Sequence, residues 1–139
     1  MHMLDTDTLT RAHAGSPGIA ERVRQVAEEN VATTIITAIE ILRGRHEFLL
    51  KASNGEQLLR AQRLLQSSEQ LLQTLPIIPV ERASAAVFDR LRQAKQLKKI
   101  GRADLLIASI ALANRATLVT RNRQHFRQIS GLQLENWID

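Results

Sequence analysis

The chain has no cysteine and no tyrosine. Without cysteine there is no disulfide framework, no thiol nucleophile and no thiolate metal site. That suits a reducing compartment, and the protein is expected to be cytoplasmic. No apolar run approaches the roughly 20 residues that a membrane-spanning helix needs, so no membrane partner is expected. Acids already appear at Asp5 and Asp7, which argues against reading the first residues as a secretory leader. Aromatic residues are only 3% of the chain: Phe48, Phe88, Phe126 and Trp137. So few rings exclude a platform on which several bases stack in succession.

What remains is ordinary in amount and uneven in place. The 139 residues are expected to form one domain, 1–139. Hydrophobic residues make up 44% and charged residues 24%, the balance of a soluble globular protein and not of a disordered one. The net charge is +5. In residues 90–127 ten basic residues face one acid, Asp104, a local +9; the rest carries nine basic and thirteen acidic residues, −4. Such a cluster is either a solvated helix face or a footprint for a phosphate backbone, where Lys and Arg displace counterions.

Apolar periodicity and breakers divide the chain. A strand is predicted over 1–6 and a short helix over 8–14. Ser16 and Pro17 then start a polar helix that runs to Asn30. The β-branched stretch 31–34 reads as a strand. Thr37 is placed to cap a helix containing Ile39, Ile41, Leu42 and Phe48, and Asn54-Gly55 breaks the chain. A long helix over 56–74 carries Leu58, Leu65 and Leu72 on one stripe. A proline-bracketed strand over 75–80, an amphipathic helix over 84–98 and a strongly apolar helix over 103–114 follow. Strands over 116–120 and 132–137 close the sequence, with a polar turn bearing Phe126 between them. Strands alternating with helices predict an α/β sandwich with a largely parallel sheet.

Three acids occupy places where acids are unusual. Asp5 ends the first strand, Glu40 lies in the first turn predicted after the second, and Asp104 opens the apolar helix with Ile107, Ala108 and Ala111 on its own face. A carboxylate aligned with a buried face is costly unless paired or metal-bound. Each acid also has an ordinary structural use: an Asx turn for Asp5, an ion pair with Arg43 for Glu40, a helix cap for Asp104. In a parallel sheet, however, strand ends and helix starts share one edge. Asp5, Glu40, Asp104 and Asn122 therefore converge on the rim where ligands bind in such sheets. Three carboxylates without cysteine or clustered histidine form a hard oxygen site, suited to Mg²⁺ or Mn²⁺.

Four segments carry a family resemblance: Leu4-Asp5-Thr6-Asp7-Thr8-Leu9, Thr37-Ala38-Ile39-Glu40-Ile41-Leu42-Arg43-Gly44, Gly101-Arg102-Ala103-Asp104-Leu105-Leu106-Ile107-Ala108, and Leu118-Val119-Thr120-Arg121-Asn122 with Phe126. With the ending Gly131-Leu132-Gln133-Leu134-Glu135-Asn136-Trp137, the chain resembles the PIN domain, and within it the VapC-type toxins of bacterial toxin–antitoxin pairs. The resemblance covers essentially the whole chain, in order. It implies a three-layer α/β/α sandwich and an Mg²⁺- or Mn²⁺-dependent endoribonuclease that inhibits translation and growth. Asp5, Glu40 and Asp104 fall on the shared acidic positions that hold metal, and Asn122 stands where many PIN domains have a fourth Asp. Asp7 stands where the family more often has Asn. Thr6 and Thr120 are implied in support, and Arg102, Arg121 and Arg123, which flank the Asp104 and Asn122 segments, in contacting RNA phosphates. His125 reads as a surface histidine beside Phe126, with proton transfer as its alternative.

The implied partners are a VapB-like antitoxin, a tRNA or ribosomal RNA substrate, operator DNA only through the antitoxin, and a second copy of the chain. Leu58, Leu65 and Leu72, or the region 103–114, are the candidate dimer surfaces. Two other readings compete. Asp5-Thr6-Asp7-Thr8 is similar to the opening of haloacid-dehalogenase-like phosphatases, where the first Asp is the nucleophile; the later acidic pair that such enzymes need is missing. The second is a catalytically weak nucleic-acid- or protein-binding PIN module, which the amide at Asn122 keeps open.

Overall fold

Strands buried on both faces can be short and apolar without alternation, and the five strands here are all short. In the computed structural model, which describes residues 1–139, they are β1 (His2–Leu4), β2 (Val31–Thr34), β3 (Ile77–Ile78), β4 (Thr117–Val119) and β5 (Gln133–Glu135). They form one sheet in the order β3-β2-β1-β4-β5, and every neighbouring pair is parallel. Seven helices cover it: α1 (Thr6–His13), α2 (Pro17–Val26), α3 (Ile35–Leu50), α4 (Gly55–Leu72), α5 (Arg82–Leu91), α6 (Arg102–Ala113) and α7 (Arg123–Phe126).

Successive strand residues point to opposite faces, and two cores follow. Met3 and Leu118 join Leu105, Ile107, Ala108 and Ile110 of α6 on one face. Leu4 and Val119 join Leu9, Ile19, Ala38 and Ile41 on the other, with Trp137. The result is the expected three-layer α/β/α sandwich.

The elements lie where the sequence places them, with shifted ends and one addition: the expected polar turn bearing Phe126 folds as the short helix α7. The Asp5 side chain accepts from the Thr8 backbone N–H at 2.9 Å, so α1 starts at Thr6 and β1 stops at Leu4. Ser16 precedes Pro17 at the start of α2 but makes no side-chain cap, and α2 stops at Val26, before a 3₁₀ turn over Glu28–Asn30. Thr34, not Thr37, caps α3, its hydroxyl accepting from the Thr37 N–H at 3.1 Å. Glu40 consequently lies in the second turn of α3 and not the first. β3 shrinks to two residues because Pro76 and Pro79 lack donors and confine it to an edge.

The helix predicted to reach residue 98 ends at Leu91. Leu91 and Leu97 are both core residues, yet six positions on one helix are about 240° apart. An extended Ala94 and a 3₁₀ turn over Lys95–Leu97 let both side chains reach the same core.

The leucine stripe of the fourth helix is also redistributed. Ala61, Ser68 and Leu72 are buried, while Leu58 and Leu59 are about half exposed. Six of the twelve residues of α6 are buried, so its apolar face packs into the core.

The α3–α4 connection rests on the Asn54 cap, whose Oδ1 accepts from the Gln57 N–H at 2.9 Å. Asn54→Ala is expected to lower stability by about 1 kcal/mol, and Asn54→Asp to retain it. Urea denaturation of the three proteins measures this, and an Ala variant as stable as the parent would dismiss the cap.

Candidate active site

The chain leaves β1 toward β2 and β3 on one side, then crosses to β4 and β5 on the other. The carboxyl ends of β1 and β4 therefore form the switch point of the sheet, where the crevice of a parallel α/β fold opens. The junction is closed by the Asp5 N–H donating to the Val119 carbonyl at 3.0 Å and the Thr8 hydroxyl donating to the same oxygen at 3.2 Å. Above it lies a cleft of about 470 Å³ lined by Asp5, Thr6, Asp7, Thr10, Glu40, Asp104, Asn122 and Phe126. Four separate segments supply these residues, and only Phe126 is hydrophobic.

Each acid is held differently. Asp5 spends Oδ1 on the α1 cap and has its second oxygen for the cleft. Glu40 Oε1 accepts from the Thr6 hydroxyl at 2.6 Å, and Thr6 Oγ1 lies 3.1 Å from the fully buried Thr37 Oγ1. A hydroxyl has one proton and a carboxylate has none to give. Thr6 therefore donates to Glu40 and accepts from Thr37, a relay that fixes one Glu40 oxygen.

Asp104 sits in the first turn of α6, half-buried. Its pKa is raised, first by burial and then by the charges of Glu40 and Asp5, with His125 acting in the opposite direction. His125 Nδ1 is 3.8 Å from Asp104 Oδ2 and 2.8 Å from Asn122 Nδ2. Asn122 is the residue before α7 and caps nothing with its side chain. Its own N–H donates to the fully buried Thr120 Oγ1 at 3.0 Å, which shapes the turn after β4.

The structure thus brings Asp5, Thr6, Glu40, Asp104 and Asn122 to one cleft and puts Thr120 beneath it. It does not bring the three arginines there. Arg121 pairs with Asp139 at 3.2 Å. Arg102 lies over the Phe88 ring, 5.9 Å from its centroid, in a neighbouring pocket. Arg123 is exposed at the start of α7. His125 lies beside Phe126 as the sequence suggests, ring centroids 5.9 Å apart, and what the sequence reading missed is its contact with Asn122. Its signal was the spacing Asn122-x-x-His125, which a short helix folds into contact. Asp7 lines the cleft but pairs with Arg11 at 3.1 Å, one helical turn on.

Three carboxylates and an amide form an oxygen donor set suited to a hard divalent cation, and Asp104 already responds to the charges of the other two acids. As placed, no three histidine, aspartate or glutamate side chains stand close enough to enclose an ion.

A raised carboxyl pKa makes the folded state bind a proton that the unfolded state has released. Stability from Asp104 is therefore full below its unfolded value and is lost as pH rises through its folded value. In EDTA, the Tm of Asp104→Asn should gain on the parent as pH rises from about 4 to about 7. A Tm difference independent of pH would show that Asp104 carries no such burden.

Known proteins resemble this chain along nearly its whole length. The sequence pattern of the PIN domain matches residues 2–132. Ribonuclease VapC1 of Haemophilus influenzae is 32% identical over 139 residues, spanning 99% of this chain and 98% of the relative. Ribonuclease VapC2 of Rickettsia felis is 32% identical over 141 residues, with the same coverage. Among solved structures, VapBC2 from Rickettsia felis bound to a DNA fragment from its promoter superposes with a TM-score of 0.79 at 29% identity, over 98% of both chains. With a matching sequence pattern, a matching sheet and full-length relatives, the chain belongs to the PIN-domain family, in its VapC branch.

Proposed function

We propose that this single domain, residues 1–139, is the toxin of a toxin–antitoxin pair, a divalent-metal-dependent endoribonuclease that hydrolyses RNA phosphodiester bonds and is neutralised by a VapB-like antitoxin. The observation that carries the reading is the convergence of Asp5, Glu40 and Asp104, from three distant segments, on the cleft at the switch point. The full-length ribonuclease relatives and the VapBC complexes support it.

Asp5, Glu40 and Asp104 would hold Mg²⁺ or Mn²⁺, with Asn122 as a neutral fourth donor. Such an ion supplies an activated water and neutralises charge that develops on the phosphate. The chain's own contribution is orientation. Thr37 and Thr6 hold Glu40, the α1 N-terminus holds Asp5, and Thr120 holds the turn that presents Asn122. His125 bridges toward both Asn122 and Asp104.

The antitoxin has an exposed apolar surface to cover. Phe48 and Leu50 at the end of α3, and Leu58 and Leu59 at the start of α4, are 39%, 84%, 46% and 50% exposed. An amphipathic partner helix suits such a surface, and in the assembled toxin a second copy of the chain shares the apolar exterior.

Mg²⁺ or Mn²⁺ should raise Tm by mass action, and total RNA should be cut only with the metal present. Asp5→Ala or Asp104→Ala should reduce cleavage by about a hundredfold or more. Equal cleavage by parent and Asp104→Ala, with and without EDTA, would overturn the carboxylate–metal reading.

A further inference from the structure

A second pocket lies beside the cleft, and no role described so far uses it. It encloses about 200 Å³ between α5 and α6, with Phe88, Leu97, Ile100 and Leu105 as its apolar lining and Arg92, Lys98 and Arg102 as its charges. No acid lines it. Arg92 leans on the exposed Asp89 at 3.5 Å, whereas Lys98 and Arg102 make no ion pair. Arg102 Cζ lies 5.9 Å from the Phe88 ring centroid, so a guanidinium and an aromatic ring line the pocket together.

Its position relative to the cleft follows from helix geometry. Arg102 is the first residue of α6 and Asp104 the third. Two positions on a helix are about 200° apart. Arg102 therefore faces the basic pocket while Asp104 faces the acidic cleft, and the first turn of α6 is the wall between them.

A ligand that uses both halves of the pocket needs an anion and a flat apolar face in one unit. An acidic peptide satisfies the cations and leaves the planar surface unused. A nucleotide with an unpaired base satisfies both, since exposed bases stack on aromatic rings and on arginine planes.

We propose that the α5–α6 pocket holds one unpaired nucleotide of a single-stranded RNA, its base against Arg102 and Phe88 and its phosphate on Lys98, across the first turn of α6 from the carboxylate cleft. The inference rests on the ribonuclease reading for its position in the substrate. It agrees with the scarcity of aromatics: one ring serves one base. It also gives the basic stretch around Lys98 a specific task. Duplex RNA cannot offer an unstacked base, so this pocket selects single-stranded regions.

The test is fluorescence anisotropy of a short labelled single-stranded RNA with the full chain in EDTA, where cleavage is stopped. Phe88→Leu keeps the apolar packing and removes the ring, and Phe88→Trp keeps a ring. Phe88→Leu should weaken binding roughly tenfold, within the range for loss of one stacked base, and Phe88→Trp should restore it. Lys98→Ala should weaken binding and flatten its salt dependence. Arg63→Ala, which removes an exposed charge on α4, should change neither. With a duplex of the same sequence, Phe88→Leu should bind as the parent does. Parent-like binding of single strands by Phe88→Leu, or an equal loss on the duplex, would overturn the pocket. If the parent cuts no RNA with Mg²⁺ or Mn²⁺, the ribonuclease reading falls separately, and the anisotropy result still decides the pocket.

Discussion

A parallel pair of strands can be joined only by a chain that crosses over a face of the sheet. In this protein every pair is parallel, so every connection is a crossover and the helices must cover both faces. The same rule sends every strand's carboxyl end to one edge, where the next helix starts. Polar side chains that cap helices or end strands accumulate there whatever their distance in sequence. The cleft is thus a consequence of strand direction, and its depth comes from the reversal of strand order between β1 and β4.

Fixing acids on that edge sets stability against use. Asp5 stabilises α1 as its cap while it faces the cleft. Glu40 is held by a hydroxyl relay that begins at a fully buried threonine. Asp104 is the least compensated: burial and two neighbouring carboxylates disfavour its charge, and a histidine only partly offsets them. Uncompensated charge of this kind is common at functional sites because the surrounding packing holds it in place. Here that packing is α6, six of whose twelve residues are buried, all of them following Asp104 along the helix.

Charge is sorted by the same geometry. The basic excess of residues 90–127 looks like one patch in the sequence, but folding divides it. Arg121 is drawn to Asp139, Arg102 to the Phe88 ring, and Lys98 with Arg92 to the pocket behind the first turn of α6. An acidic cleft and a basic pocket end up on opposite sides of one helical turn. A polyanion can meet both, with its phosphates neutralised on the basic side and its reacting bond held on the acidic side.

The order of elements, the parallel sheet and the three carboxylates on its edge were legible in the sequence because they depend on local signals: β-branched stretches, proline and glycine breaks, and acids set against apolar periodicity. The four cleft-lining residues Asp5, Glu40, Asp104 and Asn122 could be placed from strand direction alone. Tertiary structure decided what depends on distance. Thr34 and Thr37 are equivalent as caps by composition and both are fully buried; Thr34 is the cap because β2 holds its backbone extended there and its hydroxyl meets the Thr37 N–H. Helix α5 carries an amphipathic pattern past Leu91, but one core must receive both Leu91 and Leu97, and that requirement breaks the helix. Arg102, Arg121 and Arg123 flank the cleft in sequence, yet each long side chain reaches the surroundings it finds in space. Hydrophobic periodicity records which side of an element is buried, but it holds no information on which charged groups from other segments will be neighbours; the packing of α6 and α7 against the sheet sets that.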